Sequence, residues 1–290
     1  MSRPPSFVPP PGVRAQMLAT ERGEFAALVA DAVTSRVKGT ALLLPGFTGS
    51  KEDFIVVQPL LAAAGYRTVA VDGRGQYESP GPRDDEAPYA QSELARDVIA
   101  QARAIGAPMH LLGHSLGGQI ARAAVLLDTS PFVSLTLMAS GPAQISVPQQ
   151  QRVKLLRDAL AIMNMAEVWD AIQAMEPPGH ADAADIDEGL LADGEDLRRR
   201  WLGNSPAQLR ATGRQLCEEP DRVAELAAVG LPVHVLSGDR DDTWPIPLLD
   251  DMAARLGAHR TVVPHAEHSP NTDRPEPTAE ALAAFWNRHS

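Results

Sequence analysis

One short segment of the chain combines a serine with closely spaced glycines. Ser115 stands between Gly113 and Gly117 in the sequence Gly-His-Ser-Leu-Gly-Gly. A β-prone run, 109–112, leads into this G-x-S-x-G pattern, and an Ala-rich helical run, 119–127, leads out of it. A serine at the apex of a sharp strand-to-helix turn sits in strained backbone, and the glycines remove the clashes that larger neighbours would cause. The pattern therefore predicts a nucleophilic hydroxyl at Ser115.

A serine hydroxyl is a weak nucleophile and needs an adjacent base, which is itself oriented by a third group. Two histidines, His265 and His268, follow the last predicted strand. His268 precedes Ser-Pro and is far enough from the strand to lie on a loop over the edge of a sheet, whereas His265 is closer to the strand. We predict that His268 is the base and keep His265 as the alternative.

The loop after the preceding strand offers three candidates for the orienting acid, Asp239, Asp241 and Asp242. A buried carboxylate that accepts a hydrogen bond from the imidazole fixes its tautomer and stabilises the imidazolium formed during reaction. One of the three aspartates must therefore point inward, while the other two can form an ordinary solvated turn. The residue types alone leave the choice open.

The elements that must position these residues alternate between strand and helix. Strands are predicted over 15–20, 24–30, 40–44, 66–71, 109–112, 133–139, 231–237 and 260–263. Helices are predicted over 52–64, 88–105, 119–127, 246–256 and 276–289. This alternation indicates an α/β fold with a doubly wound, mostly parallel sheet. Functional residues of such sheets lie at the carboxyl ends of the strands, where Ser115 falls.

Two segments depart from the alternation. Residues 143–228 contain no strand-like run and only helical stretches, at 150–165, 167–175 and 206–216, with a loose Ala/Asp/Pro/Gly-rich piece over 177–196. We interpret 143–228 as a helical cap or lid inserted into a core made of 15–142 and 229–290. Residues 1–14 form a Pro-rich arm that we expect to be extended or disordered, since proline cannot donate to a sheet ladder.

The predicted cap contains several large apolar side chains. Met163, Trp169 and Met175 are candidates to line a pliable apolar substrate pocket. Alternatively, the same residues form the core of the cap or its contact with the main domain.

Composition limits the functions that the chain can have. The formal net charge of −11 argues against nucleic-acid binding and against docking on anionic membranes. Cys217 is the only cysteine, so an intrachain disulfide and a clustered Cys/His metal site are excluded. The chain opens without a signal-peptide pattern and has no apolar run of membrane-spanning length. We expect a cytoplasmic protein with no cofactor and no metal, and a homodimer remains open.

Taken together, the motifs resemble the α/β-hydrolase fold family over about residues 15–289. The matching sequences are Pro-Gly-Phe-Thr-Gly at 45–49, Asp-x-Arg-Gly at 72–75, Gly-His-Ser-Leu-Gly-Gly at 113–118, Gly-x-x-Asp at 238–241 and His-Ser-Pro at 268–270. The resemblance implies a triad of Ser115, His268 and Asp241 in the order typical of the family. It also implies an oxyanion hole made by the amides of Phe47 and Leu116. The chain departs from the family in having Pro45 before Gly46 instead of histidine, and Gln76 where a histidine often follows Arg-Gly.

The resemblance extends to carboxylesterases and lipases, so we expect hydrolysis of a carboxylic ester through an acyl-enzyme. The substrate is expected to be a small to medium, largely apolar small-molecule ester. A lactonase, a thioesterase or a C–C bond hydrolase would use the same triad and is the alternative. A protein that binds a hydrophobic ligand without turnover is the non-enzymatic alternative.

Overall fold

The computed structural model describes residues 2–34, 36–175 and 194–289. Within these ranges, eight strands form one sheet: β1 Val13–Thr20, β2 Gly23–Ala30, β3 Gly39–Leu44, β4 Tyr66–Val71, β5 Met109–His114, β6 Phe132–Met138, β7 Val233–Gly238 and β8 His259–Val263. Their order is β1-β2-β4-β3-β5-β6-β7-β8. Strands β1, β2 and β4 pair antiparallel, and every pairing from β4 to β8 is parallel. The predicted doubly wound, mostly parallel sheet is confirmed.

The α-helices complete the two layers that cover the sheet. They are α1 Val57–Ala63, α2 Gln91–Ile105, α3 Leu116–Leu127, α4 Val147–Ile162, α5 Met165–Met175, α6 Gly194–Gly203, α7 Pro206–Glu218, α8 Val223–Val229, α9 Ile246–Leu256, α10 Pro270–Asp273 and α11 Pro275–Trp286. Helices α2, α3, α8 and α9 bury their apolar faces on one side of the sheet, and α1 and α11 do so on the other. The central strands β3 and β5 are buried on both faces, as a parallel sheet between two helical layers requires.

The helix predicted over 52–64 is interrupted. Residues Lys51–Phe54 form a 3-10 helix, and α1 begins only at Val57. Pro59 lies in the first turn of α1, where a missing N–H costs no helical hydrogen bond, and it could not lie in the middle of a longer helix. The break matters because the 3-10 helix directly follows the loop that carries Phe47.

The segment between β6 and β7 contains α4 to α8. Helices α4 to α7 lie over the carboxyl edge of the sheet, and we call these four helices the cap. Helix α8 instead packs against α3 and α9, with Val223 and Leu226 in the main core. Helix α8 thus packs on the core although all but its last residue falls within the predicted cap 143–228. Most of the loose segment predicted over 177–196 lies outside the described residues.

Within the cap, the sequence predicted a helix over 150–165 and another over 167–175. Helix α4 ends at Ile162, and Asn164 then caps α5. The Asn164 side-chain oxygen accepts from the amides of Ala166 and Glu167, and the Glu167 carboxylate accepts from the Asn164 amide. This reciprocal capping begins α5 at Met165, two residues earlier than periodicity indicated.

The N-terminal residues 2–12 form an irregular segment with bends and a turn before β1, which begins at Val13, within the predicted arm 1–14. The segment packs against the molecule. The Phe7 ring meets Tyr77 edge-on at 5.9 Å between centroids and lies 5.5 Å below the Arg200 guanidinium. Among the described residues, no helix is both long and apolar enough to cross a membrane.

Candidate active site

Ser115 occupies the turn between β5 and α3 with a backbone conformation that side chains rarely adopt, at φ 54° and ψ −120°. Close backbone contacts hold this turn. A Cβ on Gly113 would lie 2.2 Å from the Gly117 carbonyl oxygen, and one on Gly117 would lie 2.5 Å from the Leu44 carbonyl oxygen. Only glycine fits at these positions, so the two glycines of the predicted motif are required by packing.

The structure brings Ser115, His268 and Asp241 into a continuous hydrogen-bonded row. The Ser115 hydroxyl lies 3.0 Å from His268 Nε2. His268 Nδ1 lies 3.0 Å from both carboxylate oxygens of Asp241, whose side chain is fully buried. An ionised carboxylate can only accept, so Nδ1 carries the proton and Nε2 is left free to accept the serine proton. The row can thus activate the hydroxyl for attack on a carbonyl carbon.

The other two aspartates of the β7 loop have different partners. Asp239 accepts a hydrogen bond from the His265 amide, and Asp242 accepts one from the Gln149 side chain. Asp241 turns inward because its Oδ1 also accepts from the amides of Thr243 and Trp244. His265, the alternative base, is exposed and lies at φ 59° in the turn after β8.

The loop after β3 passes directly beside the serine. A Cβ on Gly46 would lie 3.3 Å from the Ser115 Cβ, and the Gly49 amide closes the turn by donating to the Gly46 carbonyl. Phe47 lies within this turn, and Leu116 is the first residue of α3. The first amides of a helix have no partner in the preceding turn. Phe47 lines the cleft in front of the Ser115 hydroxyl, and Leu116 directly follows the serine at the start of α3. That their amides form an oxyanion hole stays a prediction.

Gln76, itself one of the two departures from the family pattern, bonds the loop in which Pro45 stands in place of histidine. Its side-chain amide donates to the Gly46 carbonyl at 2.8 Å, and its oxygen accepts from the Gly73 amide. Gln76 thereby ties the loop after β3 to the loop after β4. The sequence showed only that Gln76 stands where the family often has histidine, and its contact with the Gly46 turn could not be read from the chain.

His114 is a second residue whose part in the site sequence reasoning missed. Its Nε2–H donates to the main-chain carbonyl of His268 at 2.8 Å, and its ring is buried. Burial, followed by the proximity of His268, lowers the pKa of His114 to about 4, so this ring is neutral at pH 7. A neutral His114 holds the backbone of the base in place without adding a competing charge.

A buried cation lies behind the loop that carries Phe47. The Lys51 ammonium contacts Asp72 at 2.9 Å and Glu52 at 2.8 Å, and it also meets Glu78. Burial opposes the charged form, but the carboxylates of Asp72 and Glu52 outweigh it and keep the pKa of Lys51 above its ordinary value. The Lys51 amide also donates to Asp72 at 2.7 Å, which fixes the start of the 3-10 helix.

A cleft of about 340 Å³ opens in front of Ser115. Its apolar lining comes from Phe47, Ile145, Val153 and Leu216. Its polar lining includes Ser2, Thr48, Gln149, Arg152, Asp242, Thr243 and Ser269. The cleft is thus lined by both apolar and polar side chains, and the charged side chains of Arg152 and Asp242 are largely exposed to solvent.

The three cap residues proposed to line the pocket lie elsewhere. Trp169 is buried in a cluster with Met165, Leu197 and Trp201, and Met163 packs at its edge. Met175 is 72% exposed. Among the described residues, the cleft lining includes none of the three. The structure does not support their substrate-binding role, because the cap uses its large apolar side chains to fill its own interior.

Residues 41–281 match the family model described as "Alpha/beta hydrolase family". The chain belongs to the alpha/beta hydrolase family. The match covers the sheet from β3 onward, the Ser115 turn, the cap and the His268 loop.

Two curated relatives cover most of this hydrolase. It is 31% identical to a pimeloyl-[acyl-carrier protein] methyl ester esterase of Aeromonas hydrophila, over 79% of this chain and 88% of the relative. It is 30% identical to a 2-hydroxy-6-oxononadienedioate/2-hydroxy-6-oxononatrienedioate hydrolase of Paraburkholderia xenovorans, over 74% and 72%. Another relative is matched over 104 residues, which is 38% of its own length.

Among solved structures, a thermophilic esterase from Thermogutta terrifontis is similar, with a TM-score of 0.73. The alignment covers 96% of the hydrolase and 100% of the esterase chain at 20% identity. At this identity the likeness shows a common fold, and it carries no information on substrate.

Proposed function

We propose that this hydrolase cleaves a carboxylic ester through an acyl-enzyme, with Ser115 as nucleophile, His268 as base and Asp241 as the orienting acid. The observation that carries the proposal is the row Ser115 Oγ–His268 Nε2–Asp241, with 3.0 Å at each contact. A base within hydrogen-bond reach of the nucleophile and oriented by a buried acid is the arrangement that nucleophilic catalysis by serine needs.

The reaction has two halves. The Ser115 oxygen bonds to the carbonyl carbon while its proton moves to His268 Nε2, and Asp241 stabilises the resulting imidazolium. The amides of Phe47 and Leu116 hold the developing oxyanion. When the intermediate collapses, His268 returns the proton to the leaving alcohol and the acyl group stays on Ser115. Water, deprotonated by His268, then releases the acid and restores the serine.

The cleft supports a small to medium substrate. Its volume of about 340 Å³ is at the lower end of ordinary ligand pockets. Ile145, Val153 and Leu216 offer a short apolar wall for the acyl or alcohol chain. The largely apolar substrate expected from the sequence is therefore revised to one with an apolar part near Ser115 and a polar part toward Gln149 and Arg152.

Hydrolysis of a C–C bond next to a carbonyl is the second candidate. It is favoured by the similarity to the Paraburkholderia hydrolase together with the polar side chains at the cleft mouth, among them Arg152. Lactones and thioesters present the same carbonyl carbon to Ser115 and differ from esters in the leaving group, so they belong to the same mechanism.

The test is hydrolysis of p-nitrophenyl esters of increasing acyl length by the wild type and by Ser115→Ala. We expect turnover that falls by at least about 10⁴-fold in the variant, because the nucleophile is lost while the cleft remains. Ser140→Ala is the matched control, since Ser140 is also a buried serine, at the end of β6. Its activity should stay within a few-fold of the wild type.

Fluorophosphonate labelling complements the ester assay. Labelling confined to Ser115, with no ester turnover, would direct the search to the C–C substrate class. Full ester turnover in Ser115→Ala would contradict the proposal. A folded wild type that neither turns over esters nor reacts with the probe would favour ligand binding without catalysis.

A further inference from the structure

Asp53 occupies a position that neither the triad nor the family pattern explains. It lies in the 3-10 helix that follows the Gly46–Gly49 turn, and its side chain is fully buried. Four segments contact it: the loop after β3, the N-terminal segment, cap helix α6 and helix α10, which follows His268. Asp53 is the N3 residue of a capping box that begins at Ser50, but its other partners lie up to 218 positions away and are not marked by that motif.

The first contact ties Asp53 to the turn that carries Phe47. Its Oδ2 accepts from the Ser50 amide at 3.3 Å, and the Asp53 amide donates back to the Ser50 carbonyl at 3.0 Å. A Cβ on Gly49 would lie 2.2 Å from the same carboxylate oxygen. The carboxylate therefore packs directly against the end of the turn, and a shift of Asp53 must move Gly49 and Ser50 with it.

The second contact ties Asp53 to the cap. Arg200, on α6, donates from Nη1 to Asp53 Oδ1 at 3.0 Å, and both side chains are 0% exposed. Its other terminal nitrogen donates to the Ser2 carbonyl, and the Ser2 hydroxyl donates to Asp53 Oδ2 at 2.8 Å. The N-terminal segment is thereby held between core and cap, where Ser2 forms part of the cleft wall.

The third contact ties Asp53 to α10, the short helix that follows His268. The Asn271 side chain donates to the Asp53 carbonyl at 2.6 Å, and Asn271 lies three residues after His268. The 3-10 helix Lys51–Phe54 thus contacts both the turn that carries Phe47 and the helix that follows His268. The separation of Phe47 from His268 is a distance on which transition-state stabilisation depends.

We propose that the buried Asp53–Arg200 pair positions the Gly46–Gly49 turn for the esterase reaction. Through this pair the cap holds the turn at a fixed distance from His268. The inference rests on the proposed function, because it concerns the oxyanion amide of Phe47. Asp53 and Arg200 act through backbone and touch no reacting atom. Removal of their charges should displace the Phe47 amide and leave Ser115, His268 and the apolar cleft wall in place.

The test uses the double variant Asp53→Asn/Arg200→Gln, since removal of one partner alone would leave an uncompensated buried charge. We expect kcat for a p-nitrophenyl ester to fall by about 10- to 100-fold, because displacing an oxyanion donor weakens transition-state binding. KM should stay within about threefold, and the rate of fluorophosphonate labelling should fall in parallel with kcat.

The matched control is Arg122→Gln/Glu219→Gln. This pair is also buried, with 2.7 Å between Arg122 Nη2 and Glu219 Oε1, and it joins α3 to the end of α7. The other terminal nitrogen of Arg122 donates to the carbonyls of Gly141 and Pro142. A purely structural role predicts similar losses of stability in both double variants and unchanged kcat in the folded fraction of each. A kcat unchanged in Asp53→Asn/Arg200→Gln, or lowered equally in the control, overturns the proposal.

Arg200→Lys covers the case in which the double variant does not fold. Lysine keeps a positive charge near Asp53, but a single ammonium replaces the fork that bonds Asp53 and the Ser2 carbonyl together, so Asp53 is held less firmly. We expect a several-fold fall in kcat with KM unchanged, and wild-type kcat in this variant overturns the proposal. Failure of the proposed function is separately visible, since it appears as absent or Ser115-independent turnover in the wild type.

Discussion

The turn at Ser115 and the cap are held by different kinds of contact. Around Ser115, backbone meets backbone: Gly113 and Gly117 leave no room for a Cβ, and β3 passes within contact of α3. The cap packs through side chains around Trp169 and Trp201, and it leaves Ile162 at 86% and Met175 at 72% exposure. Backbone contacts fix the nucleophile almost independently of side-chain choice, whereas the cap is fixed by a few large side chains and a buried ion pair.

This contrast predicts where substitutions act on rate and where they act on stability. The carboxyl edge of the sheet holds the groups that would change charge or share a proton in the proposed reaction. The cap shapes the cleft mouth with Gln149, Arg152 and Val153 and reaches the reacting groups through Arg200. Substitutions at the edge should change kcat with little loss of stability, and those inside the cap, with the exception of Arg200, should do the reverse.

The largest effect is expected for Asp241→Asn. An amide can donate to His268 Nδ1, which selects the tautomer whose Nε2 carries a proton and cannot accept one from Ser115. We expect kcat to fall by about 10⁴-fold with the urea midpoint nearly unchanged. Asp239→Asn is the control, because Asp239 bonds the His265 amide, and its kcat should stay within about twofold. Equal losses in both variants would remove the distinction between the two aspartates.

A smaller effect, on stability, is expected for Trp169→Ala in the cap. Trp169 is 6% exposed among Met165, Leu197 and Trp201, so its removal leaves a cavity. We expect the free energy of unfolding to fall by about 3 to 5 kcal/mol in a urea titration. Met175→Ser should change it by less than about 0.5 kcal/mol, because this side chain is already in solvent. Comparable losses at the two positions would show that the cap interior is not packed as described.

The smallest effect concerns a buried histidine of the core. Burial, with His259 adding to it, lowers the pKa of His234 to about 3, well below the ordinary 6.5. As the pH falls, the unfolded chain therefore takes up this proton at a higher pH than the folded chain. The contribution of the neutral His234 ring to the free energy of unfolding is complete above pH 6.5 and is lost as the pH falls toward 3. Between pH 7.5 and pH 5, His234→Gln should lose about 2 kcal/mol less stability than the wild type. Urea midpoints at the two pH values measure the difference, and parallel losses would show that His234 is not buried as a neutral ring.

Much of the core could be predicted because its signals are local. Continuous apolar runs such as 40–44 mark strands that are buried on both faces, and glycines such as Gly106 and Gly257 end α2 and α9 in the left-handed conformation. Alternation of such strands with helices leaves few topologies. The α/β-hydrolase resemblance added the choice of Asp241, which the residues alone had left open.

The cap could not be predicted to the same depth. Its helices were recognised by periodicity, but a stripe of large apolar residues looks the same whether it lines a pocket or fills an interior. Trp169 faces inward because α5 and α6 pack against each other, and that packing is set by the arrangement of the helices. The contacts of Ser2 and Arg200 with Asp53 likewise join positions that no sequence pattern relates.

The sequence by itself determined the sheet, the turn that strains Ser115 and the order in which serine, aspartate and histidine follow along the chain. These depend on residue type and on neighbours a few positions away. Only the tertiary structure decided that His114 bonds the His268 loop, that Gln76 bonds the loop after β3, and that Asp53 joins the N-terminal segment to the cap. Such choices are made by burial and by hydrogen-bond partners 30 to 154 residues away, and the chain acquires those neighbours only when it folds.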